Sequence, residues 1–267
     1  MTVRLDGQLA LVTGASRGVG KGVAIGLGEA GAEVWVTART SLEETVREVQ
    51  EAGGRGVAVA CDLTDDAQID RLFAQLRAES RLGVLVNSAW GGYENMVENG
   101  EFTWLKPFWE QPLWRWDAMI DAGVRAAFAC SRLAAKRMVE QGGGLIVNIS
   151  FWSAQKYIGN TLYGVAKCAT DRLTADMGRD LQGTGVTVVS LYPGMVRTEK
   201  VLEAAAFLDL SNSESPQFIG RVVAHLAGDP AVARHNGSAL VAAVLAREYG
   251  FTDIDGRSPT PLTLDTV

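Results

Sequence analysis

Histidine and cysteine are scarce in this sequence. Its 267 residues include 2 histidines and 3 cysteines, and Cys61, Cys130 and Cys168 lie far apart along the chain. Isolated cysteines are typical of reduced thiols in the cytosol rather than of a disulfide framework. With only His225 and His235 beside them, a structural zinc site is disfavoured, and we expect no metal site.

Also lacking are the features that direct a protein to a membrane or to nucleic acid. No apolar run approaches the length that crosses a bilayer, and the chain enters its first apolar segment without the core and cleavage site of a signal peptide. The formal net charge of −6 provides no broad basic surface for a polyphosphate chain. We therefore expect a cytoplasmic protein that binds neither membranes nor nucleic acid.

What is present is an alternation of short apolar segments with longer segments of helical periodicity. The apolar segments lie at 9–13, 33–38, 56–61, 84–87, 145–150, 186–191 and 238–241. This alternation is typical of βαβ units, and right-handed crossovers then give an α/β fold with a doubly wound parallel sheet (Rossmann fold) of about seven strands. We expect a single domain over residues 1–267, with ligands at the carboxyl ends of the strands.

One segment, residues 91–112, interrupts this alternation directly after the fourth strand. It is long for a connection in a compact domain and contains Trp104 and Trp109. Long loops of this kind are commonly functional, and packing on the surface or between subunits is the alternative. We interpret the segment as an insertion.

The first predicted strand is followed by a glycine-rich run and then by a helical segment at 21–30. Residues 13–20 read T-G-A-S-R-G-V-G. Glycines allow a tight turn and a close approach of the backbone to phosphate, and the helix N-terminus adds free N–H groups and the positive end of the helix dipole. The run therefore predicts a nucleotide-binding loop.

The glycine spacing T-G-x-x-x-G-x-G resembles that of the short-chain dehydrogenase/reductase (SDR) superfamily. Further along, the chain has N-S-A at 87–89, Tyr163 and Lys167 four residues apart, and Y-P-G at 192–194. This order of motifs is similar to that of SDR enzymes over nearly the whole chain. The resemblance implies an oxidoreductase that interconverts a carbonyl and an alcohol with a nicotinamide dinucleotide and without a metal.

The resemblance also implies which residues contact the cofactor. Sites that prefer NAD place an acidic residue near the end of the second strand, whereas NADP sites use arginine. Here Ala38 stands at the acid position, and Arg39 and Arg17 supply guanidinium groups suited to a 2′-phosphate. NADP(H) is therefore favoured over NAD(H), with solvated surface arginines as the alternative. The implied contacts are Gly14, Ser16, Arg17, Gly18, Val19, Gly20, Arg39, Asp62, Leu63, Asn87, Ala89, Tyr163, Lys167, Pro193, Gly194, Val196 and Thr198.

The family pattern gives the chemical roles to Tyr163 and Lys167. A free tyrosine has a pKa of about 10 and is a poor acid or base at neutral pH. In the family, the tyrosine exchanges a proton with the carbonyl or alcohol oxygen, while the lysine lowers the tyrosine pKa and holds the nicotinamide ribose. The four-residue spacing places both side chains on one face of the predicted helix 161–181.

Three substitutions depart from the family pattern. Ser88 replaces the second Asn of the N-N-A-G turn and Trp90 replaces its Gly, so the turn departs from the family motif at two positions. Gly123 stands where the fourth helix usually carries Asn. A main-chain carbonyl can still support a proton-relay water at Gly123, but side-chain support is absent.

The position of the catalytic serine is ambiguous. Aligning strand 145–150 on the family motif places Phe151 at the reactive position, whereas counting back about 13 residues from Tyr163 selects Ser150. Ser153, one turn further, is a third candidate, and a site in which none of the three contacts substrate stays open. We favour Ser150.

The segment 199–216 is expected to cover the substrate. Trp90, Phe151, Trp152 and Met195 lie near it by motif order, which predicts an apolar pocket for a bulky ketone, aldehyde or secondary alcohol. Packing of these side chains in the core is the alternative. The stretches 108–117 and 245–257, together with the glycine at 123, resemble the SDR subgroup of dehydrogenase/reductase SDR family member 1.

Alternatives in function remain at this point. Gly123 and Phe151 suggest a regulatory protein that binds NADP(H) with little or no turnover, although Tyr163 and Lys167 argue against it. A nucleotide-sugar epimerase of the extended SDR branch would need a larger C-terminal region than follows Thr198. SDR proteins commonly associate through the helix after the fourth strand and the helix carrying the tyrosine, so we expect a homodimer or homotetramer.

Overall fold

The centre of the fold is a sheet of seven parallel strands, seen in a computed structural model that describes residues 3–76, 81–98 and 100–267. The strands in chain order are β1 (Leu9–Thr13), β2 (Glu33–Ala38), β3 (Arg55–Ala60), β4 (Leu82–Asn87), β5 (Val97–Glu98), β6 (Glu101–Phe102), β7 (Gly144–Ile149), β8 (Val186–Tyr192), β9 (Met195–Val196), β10 (Ser213–Glu214) and β11 (Ala239–Val241). The large sheet has the order β11-β8-β7-β4-β1-β2-β3. The predicted seven-stranded doubly wound sheet is confirmed, with strand ends displaced by one or two residues.

The helices alternate with these strands. They are α1 (Gly18–Glu29), α2 (Glu43–Glu51), α3 (Asp66–Leu76), α4 (Trp114–Trp116), α5 (Ala126–Glu140), α6 (Thr161–Asp180), α7 (Glu199–Glu203), α8 (Pro216–Gly228) and α9 (Ala242–Tyr249). Between α4 and α5 the chain continues as a π-helical stretch, Asp117–Arg125. No helix in the described part of the chain is both long and apolar enough to cross a membrane.

Helices cover both faces of the sheet because the strand side chains alternate between two apolar layers. From β1, Ala10 and Val12 pack into the layer formed with α1 and α8. Leu9 and Leu11 face the layer formed with α3 and α5. Helix α1, which follows the glycine-rich run, is therefore anchored in one of the two halves of the core.

Helices α1 and α8 pack backbone to backbone. A Cβ added at Gly22 would lie 2.1 Å from the carbonyl carbon of Pro216, and one at Gly26 would lie 2.4 Å from that of Gly220. Any larger side chain would force the helices apart. This contact fixes α1 to the helix that follows segment 199–216.

Two small strand pairs flank the carboxyl ends of the large sheet. Strands β5 and β6 form an antiparallel pair inside the insertion 91–112. Strands β9 and β10 form a parallel pair, with Met195 opposite Ser213 and Val196 opposite Glu214. Both pairs lie in segments that enter the candidate site.

Candidate active site

A cavity of about 640 Å³ lies at the carboxyl ends of the central strands. This edge is where doubly wound sheets bind their ligands. Every residue that the sequence implied as a cofactor contact, from Gly14 to Thr198, lines the cavity, and so does Ser150. Ser153 and Trp152 are absent from the lining residues, and Trp152 packs against Tyr192 with ring centroids 5.2 Å apart. The structure thus brings the predicted residues together without showing the role of each.

The glycine loop packs closely on the turn after β4. Gly14 has a φ of +64°, and an added Cβ would lie 2.6 Å from Ala89 Cα. The Thr13 hydroxyl accepts hydrogen bonds from the backbone N–H groups of Ser88 and Ala89 at 3.0 and 3.2 Å. The turn is therefore held by Thr13, a contact that does not use the missing second Asn of the family motif.

Below this turn, the strand ends are joined by a buried polar network. Asn87 and Asn148 are register partners on β4 and β7, and Asn87 Nδ2 donates to Asn148 Oδ1 at 2.8 Å. Asn148 Nδ2 in turn donates to Thr174 Oγ1 at 2.9 Å, which links the sheet to α6. These hydrogen bonds between buried side chains fix the arrangement of the strand ends.

Carboxylates of the chain itself occupy the anion-binding end of α1. The Gly18 N–H donates to Glu199 Oε2 at 2.9 Å, and the Arg17 guanidinium is ion-paired with Glu94. A helix N-terminus attracts anions through its free N–H groups and dipole. The donors that bind these carboxylates are of the kind that would bind the phosphates of a dinucleotide, so the glycine loop fits such a cofactor.

The end of β2 and the loop after β3 line the adenosine side of the cavity by motif order. Ala38 and Arg39 line it from β2, and the Arg39 side chain is exposed at its rim. The Asp62 carboxylate accepts hydrogen bonds from the N–H and hydroxyl of Thr64 at 3.0 and 2.8 Å. These bonds, the backbone one first, lower the pKa of Asp62. This side of the cavity therefore offers the Arg39 guanidinium as a cation and the Asp62 carboxylate as a hydrogen-bond acceptor.

Asn160 sets the start of the helix that carries Tyr163 and Lys167. Its side-chain oxygen accepts the Tyr163 N–H at 3.0 Å, which caps α6. Its amide nitrogen donates to the Trp104 carbonyl at 3.0 Å. One buried side chain thus fixes the helix end and ties the insertion to it.

The Tyr163 hydroxyl lies in an aromatic enclosure. The Tyr93 hydroxyl donates to it at 3.1 Å. The rings of Trp104 and Trp90 meet the Tyr163 ring edge-on with centroids 5.3 and 5.8 Å apart, and the Phe151 centroid lies at 6.2 Å. Burial raises the pKa of Tyr163 well above its ordinary value, so the side chain is protonated at neutral pH.

Lys167 is buried beside Tyr163 but does not contact its hydroxyl. Its Nζ donates to the Ile149 carbonyl at 3.0 Å and lies 4.1 Å from the centroid of the Trp90 ring, against 5.8 Å from that of Tyr163. Burial lowers the pKa of Lys167 to about 8.

The two candidate serines have different surroundings. Ser150 lines the cavity, and its hydroxyl donates to the Lys167 carbonyl over a long 3.4 Å. The Ser153 hydroxyl is buried and makes no hydrogen bond within the described ranges, yet it lies close enough to Tyr163 to oppose the rise in the tyrosine pKa. Phe151, which the strand alignment placed at the reactive position, also lines the cavity.

Several residues of the site were not foreseen from the sequence. Tyr93 and Glu94 lie in the insertion, and Glu199 begins α7, so their contacts join positions that are distant in the chain. Arg115 is fully buried and donates to the Thr103 carbonyl at 3.2 Å and to the Asn95 carbonyl at 3.2 Å. It holds the insertion in place, and nothing in the sequence around Arg115 signals this role.

The insertion and segment 199–216 meet across the apolar half of the cavity. The Phe102 and Phe207 rings stack with centroids 5.8 Å apart and an interplanar angle of 13°. Met96, Leu105 and Met195 add apolar surface to the same half. The cavity therefore has a polar half at the glycine loop and an apolar half beyond Tyr163.

The sheet order, the glycine loop and the Tyr163–Lys167 pair together define a short-chain dehydrogenase. The family model described as short chain dehydrogenase matches residues 8–207, and the chain belongs to that family. The predicted family and its class of enzyme, a dehydrogenase/reductase, are confirmed.

Individual members of the family show which proteins this chain is similar to. The chain is 41% identical to dehydrogenase/reductase SDR family member 1 of Mus musculus, over 96% of this chain and 86% of the relative. It is 31% identical to NADPH-dependent aldehyde reductase 2, chloroplastic, of Arabidopsis thaliana, over 82% of this chain and 83% of the relative. A solved 7α-hydroxysteroid dehydrogenase complexed with NADH and 7-oxo glycochenodeoxycholic acid superposes with a TM-score of 0.75 at 28% identity, covering 90% of this chain and 94% of that one. The predicted similarity to the family member 1 subgroup is confirmed.

Proposed function

We propose that this protein is an NADP(H)-dependent oxidoreductase that interconverts a carbonyl and an alcohol on a hydrophobic small molecule. The observation that carries the proposal is the position of the Tyr163 hydroxyl, buried between the glycine-loop half of the cavity and its apolar half, with the Tyr93 hydroxyl donating to it at 3.1 Å. A bound nicotinamide would supply or accept the hydride. The residues of the chain bind and orient the cofactor and the substrate, and they exchange the proton.

The proton step follows from the surroundings of Tyr163. Because burial keeps the tyrosine protonated, it can donate to a carbonyl oxygen as that carbon accepts hydride. The oxygen of Tyr163 then becomes negative, and the Tyr93 hydroxyl, 3.1 Å away, is placed to donate a hydrogen bond to it. The ammonium of Lys167 adds positive charge to the same buried region. The reverse sequence oxidises an alcohol.

A substrate panel tests this function. Bulky ketones, aldehydes and secondary alcohols are offered with NADPH or NADP⁺, and turnover is followed by nicotinamide absorbance. We expect Tyr163→Phe to lower turnover roughly 10²- to 10⁴-fold, the range of one general acid, with cofactor affinity nearly unchanged. Lys167→Ala should lower both. Normal turnover in Tyr163→Phe would contradict the mechanism.

The preference for NADP(H) rests on Arg39 and Arg17, which line the cavity beside Ala38. Arg39 makes no hydrogen bond or ion pair within the described ranges that would compete for its guanidinium. Arg17 has to leave Glu94 in order to bind a phosphate. We expect calorimetry to show tighter binding of NADPH than of NADH, and Arg39→Ala to reduce the difference. Equal affinities in the unmodified protein would overturn the assignment.

A binding protein without turnover is the second candidate. It is favoured by the Lys167 side chain, which faces Ile149 and Trp90 instead of the Tyr163 hydroxyl. Tight NADPH binding with no reaction across the panel would support it. Reduction of any carbonyl in the panel that depends on Tyr163 would exclude it.

The chain is proposed to act as a homodimer or homotetramer. Helices α5 and α6 leave large apolar side chains exposed, with Phe128 at 48% and Val165 at 44%. Light scattering of the purified protein tests the assembly, and Phe128→Arg should shift the mass toward the monomer. A monomeric mass at micromolar concentration would contradict it.

A further inference from the structure

Two of the substitutions that separate this chain from the family pattern lie against each other in space. Trp90 stands at the usual Gly position of the turn after β4, and Gly123 stands at the usual Asn position of the π-helical stretch. A Cβ built on Gly123 would lie 3.0 Å from Trp90 Cε3 and 3.1 Å from Cζ3. A Cβ on Gly92 would meet the same indole at 2.8 Å. The indole therefore needs both glycines.

The indole that fills this space faces the ammonium of Lys167. The Nζ–centroid distance of 4.1 Å is well inside the range of a cation–π contact. Only one hydrogen bond of Nζ is seen in the described ranges, to the Ile149 carbonyl, and no ion pair with a carboxylate is formed there. A buried ammonium with one hydrogen bond has lost most of its hydration. The ring face at 4.1 Å and the charge of Asp171 are the other groups that stabilise the ammonium.

The indole nitrogen plays no part in holding the ring. Trp90 Nε1 is buried and has no hydrogen-bond partner in the described part of the chain. The contacts of the ring are its faces and edges, toward Lys167, Tyr163 and the glycines. A ring without the N–H group should therefore serve the same purpose.

We propose that Trp90 is a positioning residue that holds the Lys167 ammonium by a cation–π contact, and that Gly123 is the substitution that makes room for it. The inference rests on the proposed role of Lys167 beside Tyr163. The aromatic face on the β4 turn uses space that a side chain at position 123 would occupy. The substitution at position 90 therefore depends on the one at position 123.

The first test measures the charge of Lys167 directly. Protein labelled with ¹³C at lysine Cε is titrated by NMR without cofactor, and the Lys167 signal is identified by its loss in Lys167→Met. We expect Trp90→Leu to lower the pKa of Lys167 by roughly 0.5 to 1.5 pH units, and Trp90→Phe to restore most of it. Asp171 and Tyr163 are the neighbouring titratable groups on α6, and Tyr93 faces them from the insertion; all three are unchanged in these variants.

Trp104→Leu is the matched control. Trp104 also meets Tyr163 edge-on but forms no cation–π contact with Lys167 among the described residues, so the Lys167 titration should stay where it is. Should Trp90→Leu fail to fold, Gly123→Leu decides instead, because a side chain that extends beyond a Cβ already 3.0 Å from the indole has to displace the ring. An unchanged Lys167 titration in the folded variant, or an equal shift in Trp104→Leu, overturns the proposal.

The second test asks whether the two positions act together. Trp90→Gly and Gly123→Asn are each expected to lower turnover and to move the alkaline limit of kcat to lower pH. Because the double variant Trp90→Gly/Gly123→Asn removes the clash, its loss should be smaller than the product of the two single losses. Multiplicative losses would show independent sites and overturn the pairing. The NMR titration requires no turnover, so a failure of the proposed oxidoreductase function appears in the substrate panel alone.

Discussion

At the scale of single residues, two buried hydroxyls, those of Ser150 and Ser153, flank the reactive end of α6 and have different surroundings. Ser150 lines the cavity, and its hydroxyl donates a weak hydrogen bond to the Lys167 carbonyl. Ser153 lies outside the lining residues but close to Tyr163. A hydroxyl in the cavity can bind a substrate oxygen, whereas one behind the tyrosine can act only through the tyrosine.

These positions give the serines distinguishable variants. Ser150→Ala is expected to lower turnover roughly 10²-fold at all pH values, the scale of one lost oxyanion donor. Ser153→Ala is expected to move the pH limit set by Tyr163 to higher pH, because a donor that lowers the tyrosine pKa is removed. Turnover is measured as a function of pH for both. A silent Ser150→Ala beside a large uniform loss in Ser153→Ala would transfer the donor role to Ser153.

At the scale of elements, the cofactor half of the cavity is bordered by segments that bring acidic side chains to it. Helix α7 places Glu199 on the N-terminus of α1, and the insertion places Glu94 on Arg17. A dinucleotide has to replace these carboxylates with its own phosphates. The free energy of dinucleotide binding is therefore the gain from the phosphate contacts minus the loss of the carboxylate contacts that they replace.

We expect Glu199→Gln to bind NADPH roughly 2- to 5-fold more tightly than the unmodified protein. The substitution keeps the shape of the side chain and removes a negative charge from the helix N-terminus, where one charge contributes about 0.3–1 kcal/mol. Calorimetry provides the measurement. Glu203→Gln is the control, since Glu203 pairs with Lys200 on the same helix. Unchanged or weaker binding in Glu199→Gln would contradict a competition at the Gly18 N–H.

At the scale of the whole molecule, the sequence predicted the sheet and the residues of the cavity better than their contacts. Some features are patterns of neighbouring residues and can be recognised in a single sequence. They are the strand pattern, the glycine run and the spacing of Tyr163 and Lys167. The contacts of Glu199 with Gly18 and of Arg115 with Asn95 join distant parts of the chain, and no periodicity encodes them. The backbone contact of α1 with α8 depends on glycines that resemble ordinary helix interruptions until the partner helix is known.

The stability of the fold is expected to depend on the protonation of Glu214. Burial, with the Asp253 charge adding to it, raises the pKa of this carboxyl from 4.5 to about 7, although the Gly194 N–H at 2.7 Å and Arg197 act against the rise. The folded state then keeps a proton that the unfolded chain releases between those pH values. The stabilisation is complete below about pH 4.5 and is lost as the pH rises through about 7.

Urea unfolding at pH 5 and at pH 8 checks this dependence. Between pH 5 and pH 8, the free energy of unfolding of the unmodified protein should fall by on the order of 2 kcal/mol more than that of Glu214→Gln. The glutamine can still accept the Gly194 N–H and does not titrate, which makes it a suitable reference. Parallel behaviour of the two proteins would mean that Glu214 is ionised in the folded state throughout.

The parallel pair β9–β10 has a consequence for how this enzyme can change. It fastens both ends of residues 197–212 together, with the Arg197 N–H donating to the Glu214 carbonyl at 2.9 Å. The residues between form an Ω-shaped loop with a closed base, and lengthening such a loop costs only about 0.6 kcal/mol for each doubling. Phe207, which stacks on the insertion, lies within it. We therefore expect that the segment can be exchanged, and that substrate range can be changed through it without altering the sheet.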